Sequence, residues 1–337
     1  MLANLYHSCL GRILEPFETA GKHGVRMFRG DGVPHRCHPI LSCLPMDYPE
    51  QTLTTCVKNG LFPCCSIPRD KIGGGDKYPM RDLNEALDAL SKADRGDPLE
   101  FKKACEKAGI KPVCHPFWER LPYTYIFRSI TPDILHQLYQ GVIRHLVSWL
   151  KKYCGSAEID ARCRCLPPNH NVQSFMKGIT SLSHLTGKEH SQIASILLGL
   201  VIGVQLPARD SSSWLIRAMR GLLDFLYLAQ YPMHTTDTLK LLRDTLSRFH
   251  DNKDIFINLG VRNHFQIPKL HSLSHYLMYI ELYGTTDNFN TEYTERLHIN
   301  YAKDAWDATN GKNELPQMTL WLERHEKIFR HAKFIKW

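Results

Sequence analysis

Asp47 closes a stretch of extended character, His35 to Met46, just before Tyr48-Pro49. A carboxylate at such a strand end can project from a sheet edge and hold Mg²⁺, a hard cation that takes oxygen ligands. The same residue also reads as an ordinary turn aspartate. Glu292 and Glu295 lie three apart, so on a helix they share a face that His298 extends. Helix-borne carboxylates complete many two-metal phosphoryl-transfer sites, although most such pairs are only solvated. Asp133 and His136 form a D-x-x-H at the start of the first long helix, where the two side chains can bond each other or share a metal. A helix-start aspartate beside a satisfied histidine is the commoner explanation.

The sulfur chemistry is less regular. Cys56, Cys64, Cys65 and Cys114, with His115, supply ligand types for zinc, but adjacent Cys64-Cys65 spoils the usual pattern of two spaced pairs. Cys163 and Cys165 are too close for a standard pair, and Cys37 and Cys43 flank a strand and read as buried. His271 and His275 have i, i+4 spacing without the glutamate of a zincin motif, so packing or capping is expected of them. Gly73-Gly74-Gly75 lacks the Lys-Ser/Thr of a phosphate loop, and no G-x-S-x-G elbow occurs. Arg209, Arg217, Arg220, Lys240 and Arg243, interleaved with Trp214 and Tyr231, are expected either to meet DNA phosphates or to solvate helix faces. Spacing alone leaves these alternatives open.

The elements that must position these groups are mainly helical. Apolar recurrence predicts a helix over Leu5–Ala20, extended pieces over Val25–Phe28 and His35–Met46, and short helices over Arg81–Lys92 and Pro98–Ala108, while Cys, Gly and Pro make Cys56–Gly75 a loop or small metal knuckle. From Pro132, which fits a helix start, with Asp133 in the first turn, further helices are expected. They span Asn171–His184, His190–Val204, Ser213–Gln230, Thr235–Asp251, Pro268–Tyr283, Asn290–Thr309 and Pro316–Ala332. Strands do not alternate with these helices, which excludes Rossmann and barrel layouts.

The 337 residues, 43% hydrophobic and 23% charged, have ordinary globular composition with ample length for a core. Forty-two basic against 34 acidic side chains give a net charge of +8, which favours a polyanionic partner. Eleven cysteines, an odd number, with no secretory leader before them, predict a reducing compartment. The longest apolar run, Ile193–Leu206, contains Ser195 and Gln205 and stops at Pro207, so no membrane partner is expected.

Whole phrases say more than spacings. Leu5-Tyr-His-Ser-Cys9, Gly30-Asp-Gly-Val33, Cys37-His-Pro-Ile-Leu41 and Asp47-Tyr-Pro-Glu-Gln51 resemble Plavaka-type transposases of the Kyakuja–Dileera–Zisupton group, which are abundant in mushroom-forming fungi. The resemblance continues through Pro116-Phe-Trp118, Thr131-Pro-Asp-Ile-Leu-His-Gln-Leu138 and Asn290-Thr-Glu-Tyr-Thr-Glu-Arg-Leu-His298. It ends with Tyr301-Ala-Lys-Asp304, Gln317-Met318 and Trp321-Leu322.

That resemblance implies an α/β, mainly α protein: a ribonuclease H-like core interrupted by a large all-helical insertion. Residues 1–131 would form part of the core, 132–288 the insertion, and 289–337 the helices that complete the core. Asp47 matches the second catalytic aspartate and Glu295 the glutamate, with Glu292 as alternate, both serving Mg²⁺ or Mn²⁺; Asp133 and His136 match a structural motif that opens the insertion. The first aspartate is expected on a strand ahead of the Leu5 helix, so an N-terminally truncated, catalytically incomplete remnant of a cut-and-paste transposase is expected. Asp31, in a Gly-Asp-Gly turn after that helix, stands in the wrong order to replace it. A Cys-Pro-x-Cys expected in the loop reads here Phe62-Pro63-Cys64-Cys65, so one zinc ligand is missing. DNA would be the partner and the nucleus the compartment, and oligomerisation is left open. A host-recruited DNA-binding or interaction module and an active metal nuclease are the alternatives.

Overall fold

The computed structural model describes residues 2–183, 185–207 and 212–337. It divides into two units, Met1–Phe289 and Asn290–Trp337.

The first unit opens with α1 (Leu2–His23), followed by an antiparallel hairpin of β1 (Val25–Phe28) and β2 (Pro34–Cys37). Asp31 sits in its turn, where its carboxylate accepts the Val33 N–H at 3.0 Å. β3 (Leu44–Pro45) then leads into α2 (Tyr48–Thr54). The cysteine-rich loop, α3 (Leu83–Leu90) and α4 (Pro98–Lys107) follow, each of these helices starting on an aspartate cap, Asp82 and Asp97. After α5 (Ile126–Ser129), β4 (Ile130–Thr131) returns to lie parallel to β3. Among the described residues the strands form these two small two-stranded sheets. Buried apolar residues from Met46 to Ile130, including Phe62, Phe101, Trp118 and Phe127, make one core.

A second core begins at Ile134. Ile134–Ile143 is π-helical and runs into α6 (Arg144–Cys154), followed by α7 (Ser156–Cys165) and α8 (Gly187–Val201). α9 (Ser212–Ala229) and α10 (Thr236–Asn252) pair closely at Gly221, where a Cβ would meet the Phe249 backbone. α11 (Ile255–Asn258), α12 (Pro268–Ser272) and α13 (Tyr276–Tyr283) complete the unit. Leu222, Phe225, Phe249, Phe256 and Tyr276 fill this core.

The second unit holds α14 (Glu292–His298), a π-helical turn Ile299–Lys303, α15 (Asp304–Asp307) and α16 (Glu314–Lys336). Among the described residues no helix is long and apolar enough to cross a membrane.

Two expectations are corrected. The helix expected over 171–184 is a loop through its described part, 171–183. Asp160 on α7 dictates this: its carboxylate accepts the N–H groups of Ile179 and Thr180 and the Thr180 hydroxyl, while Gly178 takes φ +83° against it. These bonds replace the i→i−4 ladder. Pro132 precedes the helix rather than starting it, because Asp133 is extended at φ −137°, ψ 131° and caps the next turn.

Candidate active site at the ends of two parallel strands

β3 and β4 pair in parallel with Leu44 opposite Ile130 and Pro45 opposite Thr131. Parallel strands present their C-terminal ends on the same side, and each strand is followed two residues later by an aspartate: Asp47 after β3, Asp133 after β4. Gln51 on α2 ties the two ends together, its side-chain amide donating to Met46 O and Thr131 O, both at 3.0 Å. The Gln51 side chain is buried, so these bonds fix the register of the two aspartates instead of competing with water.

Both aspartates are helix caps, for the same local reason. Asp47 is extended, and its Oδ1 accepts the Glu50 N–H at 2.9 Å, with Pro49 in the first turn of α2. Its second oxygen is unclaimed among the described residues, and the residue is half-buried. Asp133 is fully buried; its Oδ2 accepts the His136 N–H at 2.7 Å and meets His136 Nδ1 at 2.7 Å. One carboxylate is thus half-buried with a single cap bond, while the other is anchored by a histidine one turn on.

A cationic side chain feels the charge of both carboxylates. Lys269 on α12 is half-buried; burial lowers its ammonium pKa, the Asp47 and Asp133 carboxylates pull it back up, and Arg144 adds to the lowering. Gly141 makes room for it, because a Cβ there would collide with the Lys269 stem. Arg144 is exposed at the start of α6 and also lines an open cleft of about 790 Å³ with Gln140, Lys151 and His190. His145 is held below the ordinary histidine range by burial and by Arg262, Lys269 and Arg144. Carboxylate oxygens beside a group of guanidinium and ammonium cations can handle a phosphodiester together with a hard metal ion.

The other candidate residues are distributed as follows. Glu292 and Glu295 are exposed in the first turn of α14, in the second unit. Arg217 and Arg220 lie on α9, Lys240 and Arg243 on α10, and all four are exposed. Arg220 reaches Asp224 at 3.3 Å, and Arg248 joins that carboxylate at 2.9 Å. Arg209 lies outside the described residues.

The four cysteines expected as a zinc set are not gathered into one ligand group among the described residues. Cys56 Sγ lies 3.3 Å from His7 Nε2, Cys64 points at the Ile130 carbonyl, and Cys114 is exposed. Cys65 instead meets two histidines: among the described residues, the Cys/His/Asp/Glu ligand atoms that gather within 4.8 Å are those of Cys65, His271 and His275. Cys37 and Cys43, expected to be buried, are half-buried.

Lys269, Arg144 and Gln51 were not singled out from the sequence. A lysine directly after the first proline of a helix carries no motif, and its importance comes from the charges of carboxylates far away in the sequence.

No curated protein matches the chain. Residues 1–150 match the model of the Plavaka transposase family, a span that takes in Asp47, Gln51, Asp133, His136 and Arg144. Over that span the chain is similar to Plavaka transposases.

Proposed function

We propose that this chain is a DNA-handling part of a Plavaka-type transposase, in which Asp47 is a divalent-cation ligand and Lys269 and Arg144 bind phosphate. The observation that carries this reading is the parallel pairing of β3 with β4, which brings two aspartates to adjacent strand ends beside those cations. A bound Mg²⁺ or Mn²⁺ would supply Lewis-acid activation of the nucleophile and stabilise the leaving oxygen. The protein's own groups do the rest: half-buried Asp47 offers a carboxylate oxygen that its cap bond does not use, His136 holds Asp133 in place, and Lys269 offsets their charge so that a phosphate can approach.

The fit to a hard cation is partial. Asp47 offers one unclaimed oxygen, whereas Asp133 is buried and bonded to His136. Two-metal phosphoryl transfer needs bridging carboxylates to hold both ions at close spacing. The chain by itself therefore binds DNA and holds a cation loosely, without cutting. Glu295, with Glu292 as alternate, is the further acidic residue that the family resemblance assigns to the same reaction, and the nucleus is where such a protein would act.

Incubation of the purified chain with supercoiled DNA and Mn²⁺ tests this reading. The expected result is retention of DNA that weakens steeply as salt rises, with no nicking. Nicking abolished by Asp47→Asn would establish the active nuclease alternative. Absence of salt-sensitive retention would remove the DNA-handling reading.

A further inference from the structure

Three side chains from distant parts of the chain converge in the dry interior of the first unit. Cys65 is pinned by backbone bridging to Met80, while His271 ends α12 and His275 follows one turn later. Cys65 Sγ is 3.2 Å from His271 Nε2, which is 3.3 Å from His275 Nε2. Cys65 and His271 are at most 1% exposed and His275 8%. Burial holds both histidines neutral, lowering His271 to about 4 and His275 to about 3.

Hydrogen bonding does not satisfy this arrangement. A neutral imidazole nitrogen has one hydrogen or one lone pair, so His271 Nε2 can fully serve only one of its two neighbours. His271 Nδ1, on the opposite side of the ring, is buried without a partner. A cation at the centre would use every converging lone pair at once. Two of the three separations lie close to those of such a site, and the third is within 4.8 Å: with zinc–nitrogen bonds near 2.0–2.1 Å and zinc–sulfur bonds near 2.3 Å, the edges of a tetrahedral site are about 3.3–3.6 Å.

An aromatic ring lies against both histidines. Phe62 is 2% exposed; its ring is perpendicular to that of His271, centroids 4.6 Å apart, and stacked on that of His275, 5.3 Å apart. It precedes Cys65 by three positions, the spacing at which a zinc knuckle carries its paired cysteine. Cys64 is no substitute, because its sulfur points at the Ile130 carbonyl.

We propose that Cys65, His271 and His275 are three corners of a Zn²⁺ site whose fourth corner is filled by the Phe62 ring, so that the chain binds zinc weakly and one substitution makes the site tight. The test uses the full chain, titrated with Co²⁺ as a spectroscopic probe and with Zn²⁺ against a chromogenic chelator. Wild type should show a thiolate-to-cobalt absorption band that Cys65→Ser removes, at one ion per chain. Phe62→Cys should strengthen that band and tighten zinc binding at least 100-fold. Phe62→His, which keeps a ring in the core while adding a ligand nitrogen, should tighten binding in the same direction if the cysteine variant folds poorly. A wild-type spectrum identical to that of Cys65→Ser would overturn the proposal. So would affinity unchanged in a folded Phe62→Cys or Phe62→His protein, judged by circular dichroism.

Discussion

The Asp47–Asp133 corner is made of oxygen donors on two capped helix starts, whereas the Cys65–His271–His275 cluster is made of sulfur and imidazole in a closed core. The first is half-open and flanked by Lys269 and Arg144; the second lies against the Phe62 ring. Hard cations favour the first donor set and soft cations the second. One chain thus keeps two chemistries apart by burial. Polar groups at the corner remain able to meet a phosphate, while those of the cluster can only meet each other or an ion small enough to sit among them.

The comparison breaks most readily at Asp133. Asp133→Ala strips the buried cap and leaves the His136 N–H and ring nitrogen facing an apolar gap, at a cost of about 3 kcal/mol. Urea unfolding should show this, while zinc binding per folded chain stays unchanged because the cluster does not include Asp133. Gln51→Leu comes next. It orphans the Met46 and Thr131 carbonyls at the strand ends and should cost about 2 kcal/mol, again by urea unfolding.

The dryness of the interior is checked by pH. Burial lowers the pKa of His7 and of His190. A neutral buried histidine resists the proton that the unfolded chain accepts, so stability should fall as pH drops below roughly 6.5, the unfolded value, toward the lowered folded values. His7→Gln should flatten part of that decline in denaturant midpoints measured between pH 7.5 and 5. An unchanged slope would show that His7 is solvated. The smallest effect is expected on the α9–α10 face. Arg217→Gln or Lys240→Gln should each lower the salt-dependence slope of DNA retention by about one, with stability unaltered.

Legibility followed sequence distance. The position of Asp47 at the end of an extended run could be read locally, whereas the helix Tyr48–Thr54 that it caps was not expected. Asp133 and His136 were likewise visible as a pair one turn apart. What could not be read was that the two strands are neighbours, since β3 and β4 are two residues each and pair across 86 positions. Gln51 and Lys269 gain their roles only from that pairing. The histidines were read as packing residues because their metal spacing lacks a local partner; Cys65 lies 206 positions away. The loop after Asn171 failed for a similar reason, its conformation being set by Asp160 on another helix.

Mn²⁺ binding to the intact chain, followed by water-proton relaxation in wild type and in Asp47→Asn, tests the central claim most directly. Asparagine caps a helix as well as aspartate does, so the variant should fold with unaltered stability while losing the anionic oxygen. The account predicts that the enhancement seen in wild type disappears in Asp47→Asn. Equal Mn²⁺ binding in both proteins would contradict the assignment of Asp47 as the cation ligand.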